Sequence, residues 1–530
     1  MPPKASSHEP QDYEPVLPMS DASRVGLADE ESDDAFARAP SHVEAEAAGV
    51  SSDDSDNSDH FDNFGDDNSV RAPRAASSSF QFLRSGHALT YAGLLLFSFV
   101  LFYRPYEFIP LPSNLAFWLA AVTLAVYLPS QLATEGTLTA RPREVNLVLL
   151  LTLTALLSVA FAKESRAEGW ATFTDIFARA VVIFIVIVNA ARTERRLRWL
   201  LLLSIGSGLL MSAGALHDYW SGKLTVEGYR VDGQLGGIFG NPNDMALHLV
   251  TMLPLAAALA IGSRNLLKKA AYAACALLLV AGTIVTFSRG GFLAMAASLF
   301  VLAWTLRRRN RLAIIVCSCA LFVLFFAVAP GNYSARIFSI FDRSLDAYGS
   351  ADARQALLLR SIVVAARNPI LGVGMGNFPL VSIRNQVTHN AYTQVAAEMG
   401  LAAFLLYALF LWTPLKGLRR ITRETFETRR TSRLHYLAAG MQASLVAYMV
   451  ASFFASVAYY WNVYYLVGYA VCLRRLYEAE VAAAEKGRAE ETGAVNVDAG
   501  APDAVGVESE DDYDDASTDV RGREPHAAGV

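Results

Sequence analysis

Acidic side chains are scarce through the middle of this chain. Of the 50 Asp and Glu in 530 residues, only 17 fall within residues 86–475, against 35 Lys and Arg. The rest lie in two tails: residues 1–85 carry 18 acidic and 6 basic side chains, and residues 476–530 carry 15 and 4. The formal net charge of −5 therefore hides tails of −12 and −11 around a body of +18. Cysteine is also scarce, and all four (Cys275, Cys317, Cys319 and Cys472) sit inside apolar segments. That excludes a disulfide framework. The "CSC" pair makes a poor metal site, because i and i+2 diverge on a helix, so these cysteines read as small packing residues. The N-terminus lacks a basic stretch followed by an apolar core, so no cleavable signal peptide is expected. No internal repeat is evident, which weighs against inverted-repeat transporter folds.

What is present is apolar: 53% of residues are hydrophobic, and the mean hydropathy is +0.30. This excludes an ordinary soluble protein of the same length. Twelve segments approach membrane-spanning length, near 88–104, 115–133, 145–162, 177–192, 199–217, 244–262, 269–287, 291–306, 312–329, 392–413, 436–459 and 461–474. The expected fold is an all-α polytopic membrane protein of about twelve transmembrane helices, occupying residues 86–475. The connecting loops alternate in charge. "TARPRE", "ARTERRLR", "SRNLLKKA", "RRRNR" and "KGLRRITRETFETRRTSR" form a basic set. The positive-inside rule places these loops in the cytoplasm, together with both termini. The tails, 1–85 and 476–530, are acidic and of low complexity, as in "SSDDSDNSDHFDNFGDDNS", and are expected to be disordered. They are either solvated extensions or regulatory, partner-binding segments.

Two long loops face outward in this topology: Asp218 to Asn243, and Pro330 to His389. Long structured loops usually carry function. The second contains Arg336, Arg343, Arg354, Arg360, Arg367 and Arg384, and "DARQALLLRSIVVAARNPILGVGMGNFP" reads as helical up to Arg367. An amphipathic helix on the outer membrane boundary is expected there, followed by a turn at Gly372, Gly374 and Gly376.

Three polar features converge on the outer side. In "GYRVDGQLGGIFGNPNDMA", Arg230 precedes a Gly-rich turn, and "NPND" opens a helix with Pro242 flanked by Asn241 and Asn243. Arg230 and the helix-start amides suit a phosphate; the plainer reading is a turn and a helix cap. Asp244 and His248 lie one helical turn apart, close enough to satisfy each other. In "TFSRGGFLAMA", Arg289 sits at a tight outer turn, where it either meets an anion or snorkels. In "THNAYTQVAAEMG", His389 stands at the mouth of a helix whose Asn390, Gln394 and Glu398 share one face. Ionisable groups at membrane depth are costly and are kept mainly where they work or are paired; the plainer reading is a hydrogen-bonded helix seam. Together these features fit an anionic, lipid-linked substrate. Arginines neutralise a pyrophosphate leaving group, and a histidine takes a proton from an attacking hydroxyl. No Asp-rich metal motif lies on this side, so neither metal nor cofactor is expected, and no nucleic acid is expected as a partner.

The order of these motifs resembles the O-antigen ligase and O-antigen polymerase superfamily of bacterial envelope glycosyltransferases. The matching stretches are "YRVDGQLGGIFGNPNDMA", "SRGGFLAM", "RNPILGVGMGNF" and "THNAYTQVAAEMGLAAFLLY". The resemblance covers about residues 88–475 and not the tails. It implies a metal-independent, inverting transferase in the bacterial cytoplasmic membrane. The enzyme would move a glycan from undecaprenyl pyrophosphate to a sugar, lipid or protein hydroxyl at the outer face. It further implies that Arg230 and Arg289 face the pyrophosphate and that His389 is catalytic. Arg354 matches the arginine that precedes "NPILGVG", and Glu398 the acidic position in "AEMG", where its role is either substrate binding or structural; Asn390 and Asn243 are further candidates for substrate binding. Ligase and repeat-unit polymerase stay open, and a polysaccharide or lipid transporter is the reading from another class.

Overall fold

Backbone polar groups buried in lipid must be satisfied internally, and the helix does this within a single segment. The computed structural model describes residues 75–498 except 113, 225, 227–229, 232, 234–239, 307–311, 313–315, 317–349 and 430–431, with the side chains of 75–86 and 489–498 excluded. Among the described residues the body is built of helices. In chain order they are α1 (Ala75–Tyr103), α2 (Leu115–Glu135), α3 (Arg143–Ala160), α4 (Arg166–Ala190), α5 (Glu194–Trp220), α6 (Pro242–Gly262), α7 (Leu266–Val285) and α8 (Arg289–Leu306). After residues outside the description come α9 (Ser350–Arg367), α10 (Ala391–Glu424), α11 (Arg433–Ala451) and α12 (Trp461–Asp498). A π-turn at Phe173–Phe177 lies within α4.

Nine of the described helical segments are long and apolar enough to cross a membrane, and His87–Tyr103 is a shorter apolar stretch. Ten of the twelve segments expected from sequence are thus present as apolar helices. Apart from Leu312 and Val316, the segment at 312–329 lies outside the described residues, as do Cys317, Cys319, Arg336, Arg343 and most of both tails. The twelfth, 461–474, is the start of α12. There Val463, Tyr464, Val467, Val471 and Leu473 are completely buried, so this stretch is packed as core. One expectation is corrected: α12 continues through residues 476–498, which the composition reads as disordered. Its "AEVAAAEKGRAEE" run is rich in Ala, Glu, Lys and Arg, and these strong helix formers override the charge signal. The chain divides after Arg474 into this helical body and a separate unit, Arg475–Val530.

The central helices are α6 and α11, with 78% and 72% of their most apolar windows buried, while α2 and α7 are peripheral at 17% and 22%. Helix α6 packs against α7, α8 and α11, and α10 packs against α3, α9 and α11. Phe117, Trp118 and Val122 of α2 and Leu149, Leu150 and Leu153 of α3 are exposed, the composition of a lipid-facing rim. At the start of α3, Arg474 grips the fully buried Glu144 through two hydrogen bonds of 2.5 and 2.7 Å, tying α12 to α3.

Candidate functional site

The three polar features meet at one end of the bundle. Val226 and Arg230 exchange backbone hydrogen bonds of 3.2 and 3.0 Å in an isolated antiparallel bridge. The Arg230 side chain runs inward and is 1% exposed. Its Nε donates to the Thr286 carbonyl at 2.9 Å and its Nη2 to Asn243 Oδ1 at 3.0 Å. Beside it, the Asn241 side chain caps α6 by accepting the Asn243 amide at 2.8 Å. Pro242 takes the first helical position, where a missing N–H costs nothing. The "NPND" motif is thus both a cap and half of a polar network.

The other half comes from the turn between α7 and α8. Phe287 has a left-handed backbone (φ 51°). Ser288 Oγ donates to Asn243 Oδ1 at 3.0 Å and accepts the Gly291 amide at 3.2 Å. Asn243 Oδ1 is therefore shared by Arg230 and Ser288. Arg289 opens α8 and is half-buried. The two glycines that follow allow close packing. A Cβ on Gly290 would lie 2.9 Å from Phe454 Cβ, and one on Gly291 would lie 2.8 Å from Ala246 Cβ.

The third part is α9, the Gly-rich loop that follows it and the head of α10. Leu357, Val364 and Ala365 of α9 pack on Ala396 and Ala397 of α10 with Val373 and Phe378 between, while Leu359, Ile362 and Val363 remain exposed. This surface suits the membrane boundary expected from sequence, and α9 ends at Arg367 as the pattern predicts. Helix α10 is broken at Gly400 (φ 87°, ψ 175°), which frees two carbonyls. The Gly-rich loop fills the break: Val373 N donates to Ala397 O at 3.0 Å, Gly374 N to Glu398 O at 3.1 Å, and Leu401 N to Pro369 O at 2.8 Å. Only glycine fits at the contact. A Cβ on Gly372 would collide with the Glu398 backbone, and one on Gly400 with the Ile370 carbonyl.

Glu398 locks this junction. It is 2% exposed. Oε1 accepts the Phe378 amide at 3.3 Å and Oε2 accepts the Tyr459 hydroxyl at 2.8 Å. These contacts are internal and hold the loop to α10. Asn390 is similarly engaged: its Oδ1 caps α10 by accepting the Tyr392 and Thr393 amides, each at 3.0 Å, and its Nδ2 donates to the Phe453 carbonyl at 3.0 Å. Gln394 lies between them, buried, and its Oε1 has no hydrogen-bond partner among the described residues.

His389 stands between two clamped residues. Thr388 shares a hydrogen bond with Ser456 at 2.9 Å, and Asn390 is fixed as described. His389 itself is half-buried and left-handed (φ 50°). Such a backbone costs a non-glycine residue about 1–2 kcal/mol, and it persists where neighbours over-determine it. Burial first, then the positive charge of Arg354, lowers the imidazole from its usual value to about 4. The ring is therefore neutral at pH 7.

Arg354 of α9 acts electrostatically on both His389 and Asp244, so it links α9 and the residue before α10 to the head of α6. Asp244 also acts on Tyr460, whose phenol is pushed up to about 12 by burial and then by that carboxylate. Consecutive tyrosines thus serve the two sides of the site, Tyr459 bonding Glu398 and Tyr460 lying near Asp244. Asp244 and His248 are corrected as a pair. His248 Nε2 instead shares a hydrogen bond with Ser207 Oγ at 3.0 Å, inside the bundle. Of the site residues expected from sequence, Arg230 and Asn243 are bonded directly to each other, and Arg289 is next in the chain after Ser288, which shares that network. His389 and Arg354 are coupled through charge, while Asn390 and Glu398 hold the frame. Tyr460 escaped the sequence reading, which paired Asp244 with His248 and gave it no part in the site. For Asp244 the available signal was its rarity, an acid at the head of an outer helix in a body with few acids.

A family model described as O-Antigen ligase matches residues 274–408. The match spans α7 to the first half of α10. It includes Arg289, Arg354, His389, Asn390 and Glu398, and leaves Arg230 and Asn243 upstream. No curated protein is similar enough to count as a match. The match falls on three of the four motifs that carry the sequence resemblance, so the stretch from α7 into α10 is similar to the O-antigen ligase family.

Proposed function

We propose that the protein transfers a glycan from a polyprenyl-pyrophosphate carrier, undecaprenyl pyrophosphate in a bacterium, to an acceptor hydroxyl at the outer face of the cytoplasmic membrane. The observation that carries this reading is the charge coupling of Arg354 to His389 at the end of the bundle where Arg230, Asn243 and Glu398 brace the frame and Arg289 opens α8. In the proposed step, the neutral His389 ring accepts the proton of the acceptor hydroxyl. The acceptor oxygen forms a bond to the anomeric carbon as the bond from that carbon to the pyrophosphate oxygen breaks. Attack from the face opposite the leaving group inverts the centre. Negative charge grows on the departing pyrophosphate, and arginines aimed at it stabilise the transition state. Arg289 and Arg354 are the more accessible of the three. Arg230, buried and bonded to Thr286 and Asn243, sets the position of the turn that presents Arg289.

This arrangement also explains how a weak base could act. An imidazole held near 4 is fully available at pH 7 but has little driving force for proton uptake. A bound pyrophosphate would offset the Arg354 charge and raise the histidine toward neutrality. Donor binding would then strengthen the base. The proposal places both termini and the basic loops in the cytoplasm. It needs no metal, because the arginines supply the charge.

Transfer of a defined carrier-linked glycan to candidate acceptors by the purified protein tests the reading. Product formation with release of carrier pyrophosphate supports it. Consistent absence of transfer, with carrier-linked glycan only moved across vesicles, would replace it with a transporter. Within the superfamily, loss of a ligase leaves long carrier-linked polymer, whereas loss of a polymerase leaves at most single repeats.

A further inference from the structure

A second polar site lies on α1 and α5, among residues the transfer chemistry does not use. A groove of about 480 Å³ is lined by Tyr91, Leu95, Thr193, Arg195, Arg196 and Trp199. The lining contains two arginines and no carboxylate. Nearby, Arg192 pairs with Glu135 at 2.5 Å and Arg198 with Glu194 at 2.6 Å. Arg196 lies 5.1 Å over the Tyr91 ring, and its Nη1 donates to the Ala190 carbonyl at 3.1 Å. Tyr91 returns a hydrogen bond to the Arg196 carbonyl at 2.8 Å, locking α1 to the start of α5. Arg195 is exposed.

The groove is graded in polarity. Tyr91 and Leu95 are one helical turn apart on α1, and Arg195 and Trp199 are one turn apart on α5. Both helices run the same way from this end, so the charged level holds Arg195, Arg196 and Thr193, and the level below holds Leu95 and Trp199. Trp199 is 52% exposed, and Leu96 of α1 is 51% exposed. A tryptophan beneath a basic level is the arrangement found at a membrane–water interface. Positive charge above an apolar slot complements one kind of molecule, an anionic headgroup carried on acyl chains.

We propose that this groove binds the headgroup of one anionic phospholipid. The lipid phosphate meets Arg195 and Arg196, and the acyl region lies against Leu95 and Trp199. The source is a lipid rather than free phosphate, because half of the lining is apolar and faces outward from the bundle.

The test is native mass spectrometry of the full-length protein in detergent, with phosphatidylglycerol or phosphatidylethanolamine of identical acyl chains added. One phosphatidylglycerol should be retained in preference to phosphatidylethanolamine. Each basic charge near an anionic lipid surface is worth about 1 kcal/mol, roughly fivefold in affinity. Arg195→Gln should weaken phosphatidylglycerol retention about fivefold, and Arg195→Glu about 25-fold, with glycan transfer unchanged. Arg195 is exposed and outside the braces that hold α1 to α5, so these variants should fold. Equal retention of both lipids, or unchanged phosphatidylglycerol retention in Arg195→Glu, overturns the proposal. Displacement of the lipid by millimolar inorganic phosphate overturns the lipid as the source.

Discussion

Replacing Glu398 with alanine separates a frame residue from a substrate contact. The carboxylate accepts the Phe378 amide at 3.3 Å and the Tyr459 hydroxyl at 2.8 Å, and it is 2% exposed. Alanine strands both donors away from water. Each stranded buried donor costs about 1–3 kcal/mol, so the pair costs about 2–6 kcal/mol. The loss falls where the Gly-rich loop fills the break in α10, so α9 and Arg354 should loosen with it. Glutamine keeps one carbonyl oxygen for the Phe378 amide, while the Tyr459 hydroxyl can only accept from the new amide and loses its own acceptor, so Glu398→Gln should lose less stability than Glu398→Ala. Thermal unfolding in detergent, followed by tryptophan fluorescence, should rank wild type above Glu398→Gln above Glu398→Ala. Activity measured well below the unfolding temperature should recover in part for glutamine. An alanine variant that unfolds like wild type yet uses carrier-linked donor poorly would refute the frame role and make Glu398 a direct donor contact.

The remaining predictions concern charge, pH and topology. Arg289→Gln should weaken use of the carrier-linked donor by roughly 5- to 150-fold, from about 1–3 kcal/mol per charge-assisted contact. Arg230→Gln should lower both donor use and thermal stability, because Thr286 and Asn243 lose their donor, and normal donor dependence in both variants would remove the arginines from the mechanism. For wild type, kcat/KM should fall as pH drops through the free-enzyme histidine near 4, while kcat should fall at a higher pH, where the bound pyrophosphate has raised that group. Arg354→Gln removes a charge that opposes protonation, so its kcat/KM limb should move up in pH and stay below 6.5, because burial, the larger cause, remains. Asn385→Cys, on the exposed outer loop, should react with a membrane-impermeant thiol reagent in cells with a permeabilised outer envelope, and the exposed Glu427→Cys should not; labelling of Glu427→Cys alone would invert the topology.

Much of the scaffold was legible because hydropathy reports directly on lipid exposure. The cap at Asn241, the proline at 242 and the end of α9 at Arg367 follow from local rules that tertiary packing did not overturn. The candidate site was legible as residue types and less so as roles. Spacing put Asn390, Gln394 and Glu398 on one face, but spacing does not show that α10 breaks at Gly400 and hands Glu398 to Phe378 and Tyr459. That break depends on a loop that follows α9, a non-local pairing with no periodic signature. The sharing of Asn243 Oδ1 by Arg230 and Ser288 is likewise a meeting of three separate segments. Inside the bundle, Ser98 pairs with Tyr465 at 2.7 Å and Ser204 with Tyr469 at 2.8 Å. These small hydroxyl residues barely lower the hydropathy of their helices, so the polar groups between them left no mark on the sequence pattern.

The central claim is that His389 takes the acceptor proton. His389→Gln keeps a hydrogen-bonding side chain of similar reach at the same left-handed position and removes the base. The direct measurement is the single-turnover rate of glycan transfer from a defined carrier-linked donor by purified, folded His389→Gln beside wild type, at saturating donor and acceptor. General-base assistance is typically worth about 10²- to 10⁴-fold, so the variant should bind donor normally and transfer at least about 100-fold more slowly. Transfer within a few-fold of wild type by a well-folded His389→Gln protein would contradict the account and leave the arginines as the source of catalysis.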